Sequence, residues 1–116
     1  MLMRDEGITV HTQEVEYFQG VKGFYAEPSA PGNYAGVVMI HEWWGLNDNI
    51  KTMARELAKE GYRVIAVDLF GKVAATSNEA STQVKTLDKE KALQNLQAAV
   101  VFLRSKGAEK IASLGW

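Results

Sequence analysis

The chain predicts an α/β fold: an antiparallel hairpin followed by a parallel β-α-β-α-β core. Three observations carry this expectation. Gly36-Val37-Val38-Met39-Ile40 and Arg63-Val64-Ile65-Ala66-Val67-Asp68-Leu69 are nearly continuous apolar runs, the pattern of strands covered on both faces. Between them lies a segment with helical spacing, and a second helical segment precedes a third apolar run. The first 35 residues instead carry β-branched and aromatic residues with partial alternation.

Each element has a local reason. Ile8-Thr9-Val10-His11-Thr12 and Glu14-Val15-Glu16-Tyr17-Phe18 read as strand segments. Gln19-Gly20 supplies a turn, and Val21–Ala26 returns as the hairpin partner. Glu27-Pro28-Ser29-Ala30-Pro31-Gly32-Asn33 reads as a loop, since prolines cannot donate to a ladder. Asn47 or Asp48 can cap a helix whose apolar stripe is Ile50, Met53, Ala54, Leu57 and Ala58, and Gly61 is placed to end it. Residues 71–86 are small and polar and read as a loop with at most one short helix. Thr76-Ser77-Asn78 and Ser81-Thr82 belong to it. Asp88 or Thr86 can open a second long helix, with Leu93, Leu96, Val100 and Leu103 facing the core and Gly107 closing it. Lys110–Trp116 begins a third buried strand. An apolar strand at the end of the chain calls for further chain or a partner to cover it, because bare hydrophobic edges invite association.

Composition narrows the function. The 116 residues suit one domain, divided here into a hairpin and loop (1–35) and a parallel unit (36–116). Thirteen Lys plus Arg against fourteen Asp plus Glu leave a formal charge of −1, which argues against nucleic acid or a polybasic membrane contact. No apolar run approaches the roughly 20 residues of a membrane span. Arg4, Asp5 and Glu6 follow Met1-Leu2-Met3 at once, so no signal h-region is present and a cytoplasmic location is the default expectation. The chain holds no cysteine, which excludes a disulfide framework or a Cys-based metal site within it. There is no G-x-G-x-x-G and no P-loop, and no His/Asp/Glu cluster has metal-ligand spacing.

In open α/β sheets, ligands bind beyond the carboxyl ends of the strands. Those ends are His41-Glu42-Trp43-Trp44-Gly45, Asp68-Leu69-Phe70-Gly71-Lys72 and Gly115-Trp116. His41 ends a buried strand and reads as structural. Asp68 reads as an organiser of the strand end.

Taken in order, three longer segments resemble the dienelactone hydrolase family of α/β-hydrolases along nearly the whole chain. They are Val37–Asn47 with its E-x-x-G-x-N pattern, Gly61–Gly71 with Asp68-Leu69-Phe70, and Ile111–Trp116. The resemblance implies the N-terminal portion of an α/β-hydrolase fold. It implies that the last strand runs into a Gly-x-Cys-x-Gly nucleophile elbow, with Gly115 as the first glycine, Trp116 as x and a cysteine next. The family's Asp and His lie later, so the triad would be absent from these residues and the 116 residues alone would be inactive. Glu42 matches the family's glutamate beside the thiol, a proton acceptor. The backbone N–H of Trp43 matches one oxyanion donor. Lys72 stands where dienelactone hydrolases proper carry an arginine, keeping the charge and losing the planar fork. Trp44 and Phe70 would wall the pocket.

The implied activity is hydrolysis of a carboxylic ester or lactone by a Cys-His-Asp mechanism, with no cofactor and no metal. Expected partners are a small ester or lactone and the C-terminal half of the fold, in cis or as a separate chain. Two other readings remain at this stage: a non-catalytic half-domain that associates through its third parallel strand, and a flavodoxin-like binding domain, which the lack of phosphate loops disfavours.

Overall fold

The computed structural model describes residues 9–115, so Ile8 and Trp116 lie outside the described residues. Strand β1 (Val10–Phe18) and strand β2 (Val21–Pro28) form the antiparallel hairpin, turning at Gln19 and Gly20, both with positive φ. Two expectations are corrected here. The N-terminal segments form one nine-residue strand, with an irregularity between Glu16 and Phe18. Strand β2 also runs on through Glu27 and Pro28. Proline is tolerated because it occupies the last register pair, with Val10, beyond the three residues that β2 shares with β4.

Strand β3 (Ala35–Ile40), helix α1 (Asp48–Lys59) and strand β4 (Tyr62–Ala66) form the first crossover. The Asn47 side chain accepts the Ile50 N–H at 3.1 Å and caps α1. Gly61 ends it with φ +102°, a conformation costly for any other residue. Helix α2 (Ser77–Lys85), helix α3 (Lys89–Ser105) and strand β5 (Ile111–Gly115) follow. Asp88 caps α3, accepting from Glu90 N and Lys91 N.

The five strands lie in the order β1-β2-β4-β3-β5; β3 is parallel to β4 and β5, and β2 joins β4 antiparallel. Alternation along β3 explains the unbroken apolar run. Val37 and Met39 pack with Val64 and Ala66 against Ile50 and Ala54 of α1. Val38 packs on the opposite face with Tyr25, Ile65 and Val67 against Ala99 and Leu103 of α3. Both faces of β3 are thus covered. Strand β5, expected as a third buried strand, is instead exposed from Ala112 to Gly115, because it pairs with β3 on one side only and lies at the edge of the described sheet.

Three further expectations change. The second apolar strand stops at Ala66 rather than Leu69, although Val67 N–H still reaches the Met39 carbonyl at 3.1 Å. Leu93 does not face the core; it is 57% exposed, and α3 buries Asn95, Ala99 and Leu103 instead. Leu96 and Val100 flank that row, partly buried. The short helix allowed within 71–86 is α2, and it takes in Ser77-Asn78 and Ser81-Thr82, expected as loop: Thr76 Oγ1 accepts Glu79 N–H at 3.2 Å, and Glu79 Oε1 reaches back to Ala75 N–H at 3.1 Å. That is close to a capping box, which the Thr76-x-x-Glu79 spacing foreshadows. No described helix is long and apolar enough to cross a membrane. At the end of the sheet away from the β3 and β4 carboxyl ends, Arg63 pairs with Glu27 and covers the Tyr34 ring.

Candidate active site

The carboxyl ends of β3, β4 and β5 define the candidate site, and backbone hydrogen bonds hold it together. His41 leaves β3 only 5% exposed. Its Nε2 accepts the Leu69 N–H at 3.0 Å and its Nδ1 lies 2.8 Å from the Glu42 carbonyl oxygen. The ring also packs on Phe70, centroids 4.8 Å apart. The Glu42 carbonyl accepts a second bond, from Gly45 N–H at 3.1 Å, closing a tight turn over Trp43 and Trp44.

Gly45 has φ +100°, and a Cβ there would meet the Lys72 carbonyl oxygen at 2.5 Å. Only glycine lets the two loops approach this closely. The Trp44 carbonyl, in turn, accepts Ala74 N–H at 2.9 Å. The Glu42 loop and the Lys72 loop are therefore one packed unit.

Asp68 organises the second loop, its Oδ1 accepting Phe70 N–H at 3.1 Å and Gly71 N–H at 2.8 Å. Its backbone is clamped from both sides. Asp68 N–H donates to Tyr17 Oη at 3.0 Å, Tyr17 donates to Asn95 Oδ1 at 2.6 Å, and Asn95 Nδ2 donates to the Asp68 carbonyl at 3.0 Å. Burial pushes the Tyr17 phenol up to about 12, against the bonds to Asp68 and Asn95 that pull it down.

The sequence-predicted residues fall into two groups. Phe70 and Lys72 line a cleft of about 480 Å³ beside α2, together with Leu69, Asn78, Thr82 and Gln83. Glu42, Trp43 and Trp44 lie outside that lining, on the neighbouring turn. Trp43 is 43% exposed and its ring meets Trp44 edge-on at 5.5 Å. Among the described residues, Lys72 makes no ion pair with Glu42, and the Trp43 N–H has no hydrogen-bond acceptor.

Gln83 joins the two groups. It is buried in α2, and its Nε2 donates to the Trp43 carbonyl at 3.1 Å. Its Oε1 is buried without a partner. Sequence reasoning misses Gln83, Tyr17 and Asn95. Gln83 sits in a polar stretch with no distinguishing pattern, whereas Tyr17 and Asn95 are 78 residues apart. No group of three or more His, Asp or Glu side chains among the described residues could hold a metal ion.

The strand ends converge by register: Ile40 of β3 stands beside Gly115 of β5, and Met39 beside Ala66 of β4. The Glu42 carboxylate, the unpaired Trp43 N–H, Lys72 and the Trp44 and Phe70 rings thus all follow the carboxyl ends of β3 and β4. That arrangement suits an uncharged or anionic substrate whose reaction develops negative charge on oxygen.

Comparison with known proteins agrees with this architecture. A model of the dienelactone hydrolase family matches residues 21–116. A provisionally named carboxymethylenebutenolidase of Saccharolobus solfataricus is 43% identical over 63 residues, which is 54% of this chain and 24% of that protein. A crystal structure of a provisionally assigned dienelactone hydrolase from Klebsiella pneumoniae superposes with a TM-score of 0.83 at 20% identity, over 93% of this chain and 50% of that one. A dienelactone hydrolase-like promiscuous phosphotriesterase from metagenomic libraries gives a TM-score of 0.76 at 29% identity, over 92% of this chain and 49% of that one. The chain thus spans half or less of the length of the proteins it matches. By sequence pattern, fold and family match, the chain belongs to the dienelactone hydrolase family.

Proposed function

We propose that the complete protein hydrolyses small carboxylic esters or lactones through a cysteine acyl-enzyme, and that this chain supplies part of the machinery. The observation that carries the reading is the register pair Ile40 and Gly115, which brings the Glu42 turn and the end of β5 side by side. A thiol in a Gly-x-Cys-x-Gly elbow begun at Gly115 would leave the sheet next to Glu42.

In this mechanism the Glu42 carboxylate takes the thiol proton, leaving a thiolate. The thiolate attacks the carbonyl carbon, and the carbonyl electrons move to oxygen, where the Trp43 N–H donates to the developing charge. The C–O bond to the leaving group then breaks, and the alkoxide takes a proton from the triad histidine, which enters the cycle as the imidazolium. The histidine, now neutral, deprotonates the water that attacks the thioester; the acid and the thiolate are released, the imidazolium is restored, and Glu42 returns its proton to the thiolate. Trp44 and Phe70 wall the substrate, and Lys72 attracts an anionic substituent as a point charge. The triad Cys, Asp and His come from residues following Trp116, so the 116 residues alone have no turnover. The family match supports hydrolysis over a non-catalytic half-domain associating through β5.

The test is ester turnover by the complete protein before and after alkylation with iodoacetamide. Turnover abolished by alkylation supports the thiol mechanism, and turnover that survives it refutes it. In Glu42→Ala the rate of alkylation should fall at neutral pH; an unchanged rate removes Glu42 from its role as proton acceptor. A phosphotriester belongs in the same assay, because one structural relative is described as a phosphotriesterase.

A further inference from the structure

His41 is buried at the end of β3, and the mechanism above gives it no chemical step. Its contacts nevertheless lead straight to the proposed oxyanion donor. Nε2 accepts the Leu69 N–H at 3.0 Å, so that nitrogen carries no proton. The ring proton of the neutral imidazole is then on Nδ1, which donates to the Glu42 carbonyl oxygen at 2.8 Å. The Glu42 carbonyl and the Trp43 N–H are the two ends of one peptide unit. In a planar trans peptide they point in opposite directions, so fixing the carbonyl fixes the N–H.

Two donors hold that carbonyl, His41 Nδ1–H and Gly45 N–H at 3.1 Å, and they have different origins. Gly45 belongs to the same turn and moves with it. Of these two donors, His41 alone is itself hydrogen-bonded to a second strand end, through Leu69 in the β4 loop, and the Phe70 ring packed 4.8 Å away restrains its rotation.

We propose that His41 is a positioning residue: as the neutral Nδ1–H tautomer it ties the Glu42–Trp43 peptide to the Leu69 amide and so sets the direction of the Trp43 N–H. This rests on the reading of that N–H as an oxyanion donor. It also means that the β4 loop, which carries Phe70 and Lys72, is coupled to the oxyanion donor through one imidazole.

Two substitutions separate this role from simple filling of a polar site. Asn places an amide N–H near the Nδ1 position and keeps the bond to Glu42, losing Leu69. Gln places an amide oxygen near the Nε2 position and keeps the bond to Leu69, losing Glu42. In His41→Asn the Leu69 N–H loses its acceptor, whereas in His41→Gln the Glu42 carbonyl keeps Gly45 N–H, so a purely structural role predicts the greater damage in His41→Asn. Positioning predicts that in the complete protein His41→Gln loses about 10- to 100-fold in kcat with KM little changed, below the loss for deleting an oxyanion donor outright. His41→Asn should recover most of that loss. Equal loss of kcat in the two variants, or loss confined to KM, overturns the proposal.

A second readout does not depend on turnover. Long-range ¹H–¹⁵N spectra of the wild-type complete protein should show His41 as the Nδ1–H tautomer, and an Nε2–H or doubly protonated ring at neutral pH overturns the tie. Gly45 amide exchange should accelerate more in His41→Gln than in His41→Asn, and equal acceleration also overturns it. If the wild-type protein shows no thiol-dependent turnover, the oxyanion reading fails while the tautomer and exchange measurements still decide the role of His41.

Discussion

Replacing Tyr17 with phenylalanine isolates the device that fixes the β4 strand end. The substitution removes one hydroxyl and two hydrogen bonds, the 2.6 Å donation to Asn95 Oδ1 and the 3.0 Å bond accepted from Asp68 N–H. Asn95 is 4% exposed, so its oxygen has little access to water once Tyr17 withdraws. A buried polar group left unpaired costs about 1–3 kcal/mol. Asp68 and Asn95 both border a cleft of about 520 Å³ between the hairpin and α3. Water in that cleft can repay part of the loss, so Tyr17→Phe should destabilise by about 1.5–3 kcal/mol. Urea denaturation of the complete protein, followed by tryptophan fluorescence, should show a midpoint lower by about 1 M for an m-value of about 2 kcal/mol/M. Asn95→Leu and the double variant complete a cycle, whose coupling should be about 1 kcal/mol or more. A Tyr17→Phe effect below about 0.5 kcal/mol, or additive single effects, would refute the claim that this ring of bonds clamps Asp68.

Three other outcomes follow from the same geometry. Burial pushes the phenols of Tyr17 and Tyr25 up to about 12, whereas an unfolded chain releases those protons near 10. The folded protein therefore holds protons that the unfolded chain has lost between about pH 10 and pH 12, and stability that is full below pH 10 falls through that window, by on the order of 1–2 kcal/mol per phenol. Denaturation midpoints at about pH 9 and pH 11 check this, and Tyr17→Phe should flatten the decline. Gly45→Ala places a Cβ 2.5 Å from the Lys72 carbonyl at φ +100°, so the two loops must separate; a loss of about 2–4 kcal/mol in thermal unfolding is expected, with KM raised in the complete protein. Gln83→Leu removes the bond to the Trp43 carbonyl but also removes an unpartnered buried oxygen, and the two effects should leave stability within about 1 kcal/mol of wild type by calorimetry.

The parallel core was legible in the sequence because its signals are local. A strand covered on both faces must be apolar at consecutive positions, and Val37 to Met39 and Val64 to Val67 are. Helix ends are also local: Asn47 and Asp88 cap, and Gly61 supplies the left-handed turn that terminates α1. The misreadings occur where a tertiary partner overrides local composition. Helix α3 turns its Asn95-Ala99-Leu103 row inward, because alanine allows close approach to the sheet and Asn95 finds Tyr17 and Asp68 there. Leu93 is left outside despite its hydrophobicity. Helix α2 buries only Ala80 and Gln83, too thin a stripe for periodicity to reveal.

At the candidate site the division follows from which atoms do the holding. Three successive carbonyls, those of Glu42, Trp43 and Trp44, are each held by a different donor set: His41 with Gly45, then Gln83, then Ala74. Every residue type has a carbonyl, so the acceptors leave no mark on the sequence, and of the donors only His41 and Gln83 use side chains. His41 stands out because it interrupts an apolar strand end, which is why a structural role for it was readable there. Gln83 does not, because one amide among Asn78, Ser81, Thr82 and Thr86 looks like any other. The turn that carries Glu42 is thus fixed by backbone geometry that residue identity hardly constrains, whereas Gly45, at its closest approach to the Lys72 loop, is constrained absolutely. Substitutions at Trp43 or Trp44 that keep the backbone path should accordingly be tolerated by the fold far better than any change at Gly45.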